Sequence, residues 1–244
     1  MKIKKIETFI LRVPLGDKRF FSSQCAFPER NSLLVRIETD DGLYGWGEGG
    51  QYGPPEPVKA CIENVLAPKL TGRDPLDKTI LWHEMYNYTK DFGQKGTYIE
   101  AISAIDIALW DICGKILGIP VSRLMGGSQR EAVEMYATGC YYRGEDYLDI
   151  DRAVEALQEE AASYVEQGFK MLKIKIGLLS VDDDAKRVKA VRDAVGKEVG
   201  LFADCNHSYT ANTAVRMGRC LEEYGALFME EPVVPEDIEG YRFV

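Results

Sequence analysis

Two lysines, an aspartate, an asparagine and a glutamate in the second half of the sequence have types and spacings that could do acid–base chemistry beside a metal ion. Lys173 and Lys175 stand two apart in KIKIG, Asp204 and Asn206 two apart in ADCNH, and Glu230 closes the apolar run of FMEEP. Residues two apart on a strand share a face, so both lysines project together while Leu172, Ile174 and Ile176 suit the opposite, helix-facing side. Two ammonium groups about 6 Å apart at an effective dielectric near 20 repel by roughly 2.8 kcal/mol, or about two pKa units. Such repulsion lowers one lysine toward neutrality and makes it a usable base.

Each motif alone also has a plain reading. The lysines could form an exposed polar face, Asp204 and Asn206 could cap the next helix, and Glu230 could simply be an exposed strand end. Together they would put two carboxylates and a base around one cavity. Hard oxygen ligands select magnesium-like ions. The chemistry that follows is proton abstraction beside a carboxylate, with the charge that develops in the transition state met by metal and nearby cations.

The elements that must position these residues alternate. Strands are expected over about 133–140, 170–177, 200–206 and 226–232, with helices over about 150–167, 182–195 and 211–224 and another beginning near Pro235. Parallel strands need such crossovers, and barrel enzymes keep their sites at the C-terminal ends of the strands. Upstream, strands are expected over residues 3–13, 32–39 and 43–48, the last two joined by the Asp41-Gly42 turn. Helices follow over about 56–70, 75–90 and 98–117. The aromatic, irregular stretch 16–30 reads either as a mobile surface excursion or as a lid. The whole is an α+β domain over 1–125 followed by a (β/α) TIM-type barrel over 126–244. That barrel is incomplete, because a closed one needs about eight strands.

Composition excludes several classes. The 244 residues carry a formal charge of −9 with no Lys/Arg stripe, so nucleic acid is not an expected partner. No run is long and apolar enough for a membrane span, and MKIKKIETFILRVPLG is not a signal peptide. Cys25, Cys61, Cys113, Cys140, Cys205 and Cys220 form no CxxC pair, and with only His83 and His207 a zinc cluster has little to build from. The expected compartment is the cytoplasm.

KIKIG, DCNH and MEEP, in that order and spacing, resemble the second-, third- and fourth-strand signatures of the mandelate racemase/muconate lactonizing enzyme branch of the enolase superfamily. GLYGWGE, AISAIDIALWDICGKILGIPVSRLMGG and YATG resemble the same family's capping domain and its passage into the barrel, so the resemblance covers essentially the whole chain. It implies Mg2+ as cofactor, Lys175 as base, Lys173 as its electrostatic partner, and Asp204 and Glu230 as metal ligands. Asn206 would lie near metal and substrate, His207 and Tyr209 could touch substrate, and residues 16–30 and 49–55 match the family's specificity loops. A homo-oligomer is implied for the full-length enzyme.

The same resemblance implies a third carboxylate ligand, and often a His/Asp pair, from later strands that would follow Val244. The isolated 244-residue chain is therefore expected to be inactive. The expected substrate is a small carboxylate, a sugar acid or its lactone, in a cycloisomerase or dehydratase reaction. DFGQKGTYIEAISAIDIALWDI, YATG and DCNHSY resemble D-galactarolactone cycloisomerase-type members. The alternatives are an amino-acid or dipeptide epimerase of the same superfamily, and an inactive truncated fragment.

Overall fold

Alternating Leu33, Val35 and Ile37 turn one face of a strand into a core, and a long apolar helix beginning at Thr97 supplies the opposing face. A computed structural model of the chain describes residues 1–50, 53–144 and 148–244. In chain order the strands are β1 (Ile3–Pro14), β2 (Phe20–Phe21), β3 (Ala26–Phe27), β4 (Glu29–Thr39), β5 (Tyr44–Gly49), β6 (Ala137–Thr138), β7 (Tyr142–Arg143), β8 (Met171–Lys175), β9 (Gly200–Asp204) and β10 (Phe228–Glu230). The α-helices are α1 (Pro55–Cys61), α2 (Ala67–Leu70), α3 (Lys78–Thr89), α4 (Thr97–Leu117), α5 (Val121–Leu124), α6 (Ile150–Glu166), α7 (Val181–Val195), α8 (Ala211–Glu223) and α9 (Ile238–Phe243). Contacts divide the chain into two units, residues 1–14 with 30–131 and residues 15–29 with 132–244.

In the first unit β1, β4 and β5 form a sheet in that order, with β4 and β5 antiparallel. Gly45 and Gly47 of β5 let α4 approach the strand backbone: a Cβ on Gly47 would fall 2.0 Å from the Ala104 carbonyl oxygen, and one on Gly45 would fall 2.3 Å from that of Ala108. Ala101, Ala104 and Ala108 complete the close fit. The helix stops at Gly118, whose φ of 68° is a left-handed cap. One expectation fails here. The helix expected over 56–70 is not uniform, because a π-turn over Ile62–Leu66 separates α1 from α2. Pro68 has no N–H to donate and its ring crowds the carbonyl four residues back, which accounts for the widened turn.

In the second unit β10-β9-β8-β6 form a parallel sheet in that order, and α6, α7 and α8 lie between successive strands in the sequence. Asp149, Ser180 and Thr210 cap these helices by accepting from the N–H groups of Arg152, Asp183 and Thr213. Leu172, Ile174, Leu201, Ala203, Val188, Val191 and Met217 make the core between sheet and helices. The strand expected over 133–140 shrinks to Ala137–Thr138; past it Cys140 turns left-handed at φ 52°, and the Gly139 N–H to Lys173 carbonyl and Lys175 N–H to Cys140 carbonyl bonds still reach β8. The last helix starts at Ile238 rather than near Pro235, capped by the Asp237 carboxylate on the Gly240 N–H.

The stretch 16–30, read from sequence as excursion or lid, is tied into the second unit. β2 pairs with both β3 and β7. Phe20 packs on Phe27 at 4.9 Å and on Tyr141 at 4.4 Å between ring centres. Within the loop 49–55, residues 51 and 52 lie outside the described residues. No helix among the described residues is long and apolar enough to cross a membrane.

Candidate active site

The parallel register sets the site. Lys175 on β8, Asp204 on β9 and Glu230 on β10 are successive register partners, all at the C-terminal ends of their strands. Partners on parallel strands send their side chains to the same face. Leu172, Ile174 and Ile176 fill the helix-facing core, which leaves Lys173 and Lys175 on the other side, each only 7% exposed. The exposed-face reading of the lysines therefore does not hold.

The Lys175 ammonium donates to Asp204 Oδ2 at 2.5 Å and to Asn206 Oδ1 at 3.0 Å. Lys173 Nζ bridges the two carboxylates, 3.2 Å from Asp204 Oδ2 and 2.7 Å from Glu230 Oε2. The second Asp204 oxygen accepts the Asn206 backbone N–H at 3.0 Å. Asp204 does not cap a helix, since Thr210 performs that role for α8. Glu230 is an engaged ligand of Lys173, although its side chain keeps 35% of its exposure.

These contacts add carboxylates to the electrostatics of the lysine pair. The mutual repulsion of the lysines is offset by the carboxylate between them. Burial opposes charge on Lys173, but its hydrogen bond to Glu230 and the charge of Asp204 outweigh it and raise the ammonium above the ordinary lysine range. Burial likewise opposes charge on Asp204, and the hydrogen bond and charge of Lys175, the Asn206 N–H and Lys173 together hold its carboxyl below the usual aspartate range.

Asn206, His207 and Glu231 have φ of 47°, 63° and 49°. Left-handed backbone at non-glycine residues is costly, least so for Asn, and often marks functional loops. The strand ends are joined by the His207 N–H on the Glu231 carbonyl at 2.7 Å and the Cys205 N–H on the Glu230 carbonyl at 3.0 Å. Asn206 spends both ends of its amide, Oδ1 on Lys175 and Nδ2 on Glu231 Oε2 at 3.0 Å. His207 is not part of the lysine–aspartate cluster: Nδ1 lies 3.2 Å from the Val233 carbonyl and Nε2 3.2 Å from Glu231 Oε1. Tyr209 is buried in the helix-side core with its hydroxyl 3.5 Å from Asp184 Oδ2, so it turns away from the cluster.

Several neighbours were not legible in the sequence. Tyr141 sets its ring 5.4 Å from Lys175 Nζ and Tyr136 its ring 5.6 Å from Lys173 Nζ, distances at which a ring quadrupole attracts a cation. Ser23 Oγ donates to the Cys205 carbonyl and Gln24 Nε2 to the Asn206 carbonyl, each at 2.7 Å. Finding them requires the pairing of β2 with β7, which no local pattern reveals.

The donor set suits a hard cation in part. The Lys173 ammonium already sits between two carboxylates, which is where the local field draws positive charge. Among the described residues no three His, Cys, Asp or Glu side chains are grouped to hold an ion. Two carboxylates, those of Asp204 and Glu230, are the oxygen donors gathered around that position.

Comparison with known proteins agrees with this geometry. Residues 5–126 match the family model described as mandelate racemase / muconate lactonizing enzyme, N-terminal domain, and residues 156–244 match enolase C-terminal domain-like. D-galactarolactone cycloisomerase of Agrobacterium fabrum is 41% identical over 244 residues, covering 100% of this chain and 62% of that protein. Arabinonate dehydratase of Saccharolobus solfataricus is 43% identical over 201 residues, covering 82% of this chain and 52% of that protein. The chain thus spans about half to three-fifths of the length of these relatives. The structure of a racemase from Streptomyces coelicolor A3(2) with bound magnesium superposes with a TM-score of 0.88 at 30% identity, covering 99% of this chain and 65% of that one.

Proposed function

The chain belongs to the mandelate racemase/muconate lactonizing enzyme family of the enolase superfamily, and on that premise we propose that the protein carrying it removes the proton α to the carboxylate of a sugar acid or its lactone. The observation that carries this reading is the line of Lys175, Asp204 and Glu230 across three neighbouring strands. The relatives named as a cycloisomerase and a dehydratase of sugar acids support the substrate class.

Lys175 is the base. Its Nζ is oriented by Asp204 Oδ2 and Asn206 Oδ1 and, as the uncharged amine, takes the α proton and becomes the ammonium ion. Lys173 keeps a positive charge beside the same pocket, raised and fixed by Glu230 and Asp204, and pairs with the substrate carboxylate. The rings of Tyr136 and Tyr141 lie beside the ends of Lys173 and Lys175. Asp204 and Glu230 would hold Mg2+, which supplies positive charge against the carboxylate oxygens of the substrate as the proton leaves. The six cysteines stand as free thiols, in keeping with a cytoplasmic location.

Incubation of the whole protein that carries this chain in D2O with magnesium and a panel of aldonic acids, aldaric acids and their lactones tests the reading by proton NMR. Loss of an α-proton signal from at least one of these acids supports it, and loss of a β substituent in the same substrate identifies the eliminating reaction. A folded protein that exchanges no α proton in the whole panel overturns it.

A further inference from the structure

Behind the proposed base lies a buried ionic network that the mechanism above does not use. Asp184 and Arg187, three apart on α7, are 0% and 1% exposed. Arg187 Nη1 donates to the Lys175 carbonyl at 2.8 Å and lies 3.3 Å from Asp184 Oδ1. Its Nη2 donates to the Cys140 carbonyl at 3.1 Å. Asp184 Oδ2 accepts the Gly177 N–H at 2.7 Å, and Oδ1 accepts the Tyr142 hydroxyl at 2.6 Å. That hydroxyl in turn accepts the Leu178 N–H at 3.1 Å, while the Tyr142 ring lies 3.7 Å from the guanidinium carbon.

We infer that Arg187 is a positioning residue for Lys175, acting with Asp184 and Tyr142 to fix the end of β8 from which that side chain projects; the inference rests on Lys175 being the base. The geometry explains why a network is needed there. β6 pairs with Leu172 and Lys173 of β8, and beyond it the Gly139 N–H reaches the Lys173 carbonyl at 3.2 Å and the Lys175 N–H reaches the carbonyl of left-handed Cys140 at a long 3.4 Å. The carbonyls of Cys140 and Lys175 both accept from the guanidinium, which ties the two segments together where the last ladder bond is long. On the far side of Lys175, Asp184 and Tyr142 receive the N–H groups of residues 177 and 178. The Lys175 carbonyl and the N–H groups of residues 177 and 178 are thus held by side chains of α7 and β7. A buried ion pair is a poor way to gain stability compared with apolar packing, so its value here lies in direction: a planar fork reaches two carbonyls at once, which a lysine cannot.

The test compares wild type with Arg187→Met/Asp184→Leu, which removes both charges together, and with Arg187→Lys, which keeps the pairing charge but loses the fork. Misplacement of a catalytic group by about 1 Å costs on the order of 100-fold in rate. Both variants should therefore lose kcat for α-proton exchange, the double variant by about 100-fold and Arg187→Lys by less, with KM nearly unchanged. Independently of turnover, acylation of Lys175 by an amine-reactive ester, read by peptide mass spectrometry, should rise at least about tenfold in the double variant while exposed Lys186 stays constant. A double variant that melts like wild type and keeps its kcat and Lys175 acylation rate overturns the inference. If the double variant does not fold, Arg187→Lys decides, and wild-type values in both readouts overturn the inference. Absence of α-proton exchange in the wild type itself would refute the proposed function, and the acylation comparison would still decide whether Arg187 fixes Lys175.

Discussion

Lys175 and Asp204 are register partners on adjacent parallel strands, and their charged ends meet at 2.5 Å. Neighbouring strands lie about 4.8 Å apart, so two long side chains leaving paired positions on one face meet without help from any loop. The strand scaffold alone brings these two charged side chains together. The loop that follows β9 then adds Asn206 Oδ1 to the same ammonium at 3.0 Å.

Replacement of Lys175 should abolish proton transfer without unfolding the chain. Lys175→Met keeps the length of the side chain, and Asp204 retains Lys173 at 3.2 Å. General-base removal costs on the order of 100- to 10,000-fold. The expected outcome is a loss of α-proton exchange of about that size, measured by NMR in D2O, with a far-UV circular dichroism spectrum like that of wild type.

The glycines of the first unit are a separate test, of fold rather than chemistry. Gly47→Ala would push a methyl to 2.0 Å from the Ala104 carbonyl oxygen and 2.9 Å from the Ala108 nitrogen. Neither is the movable end of a side chain, so α4 must shift from β5. Overpacking of this kind costs about 1–3 kcal/mol or more. Urea denaturation should show a loss of at least that size, whereas Gly72→Ala, with nothing within 4 Å but a φ of 83°, should cost less.

How much of this was legible in the sequence depends on the range of the interaction. The two-residue period of KIKIG put both lysines on one face correctly, and the βα alternation located β8, β9 and β10 to within a few residues. The convergence of Lys175, Asp204 and Glu230 followed from the period once the strands were taken as parallel neighbours. Three features escaped. The π-turn needed the local effect of Pro68 to be weighed against an otherwise helical pattern. The docking of residues 15–29 on β7 depends on pairing across more than a hundred residues, for which no local signal exists. The raised Lys173 ammonium escaped because the two lysines were considered alone, without the carboxylates that face them.

The pH dependence of stability carries the signature of that buried cluster. The Asp204 carboxyl is held low in the fold, so its contribution is complete above the ordinary aspartate value of about 3.9 and is lost as pH falls through the lowered folded value. The Lys173 ammonium is held high, so its contribution is complete below the ordinary lysine value of about 10.4 and is lost as pH rises through the raised folded value. Thermal melts should therefore show an acid loss below roughly pH 4 that is shallower in Asp204→Asn than in wild type. Equal acid slopes in the two proteins would remove Asp204 from the account.

Thiol chemistry should separate surface from core. Cys25 is exposed, whereas Cys140 and Cys205 are fully buried and burial pushes both thiols up, away from the reactive thiolate form. Iodoacetamide at about pH 8 should modify Cys25 readily in the native protein and reach Cys140 and Cys205 only after unfolding. Peptide mass spectrometry with and without urea reads this directly.

The central claim is that Lys175, Asp204 and Glu230 surround one pocket able to hold a hard cation. Titration with Mn2+, followed by paramagnetic broadening of side-chain amide signals, tests it most directly. The Asn206 amide, which touches Lys175 and Glu231 at 3.0 Å each, should broaden at the lowest Mn2+ concentration. That broadening should weaken in Asp204→Asn and in Glu230→Gln, and excess Mg2+ should reverse it in wild type. Broadening that starts elsewhere on the protein, or that is the same in wild type and both variants, would contradict the account.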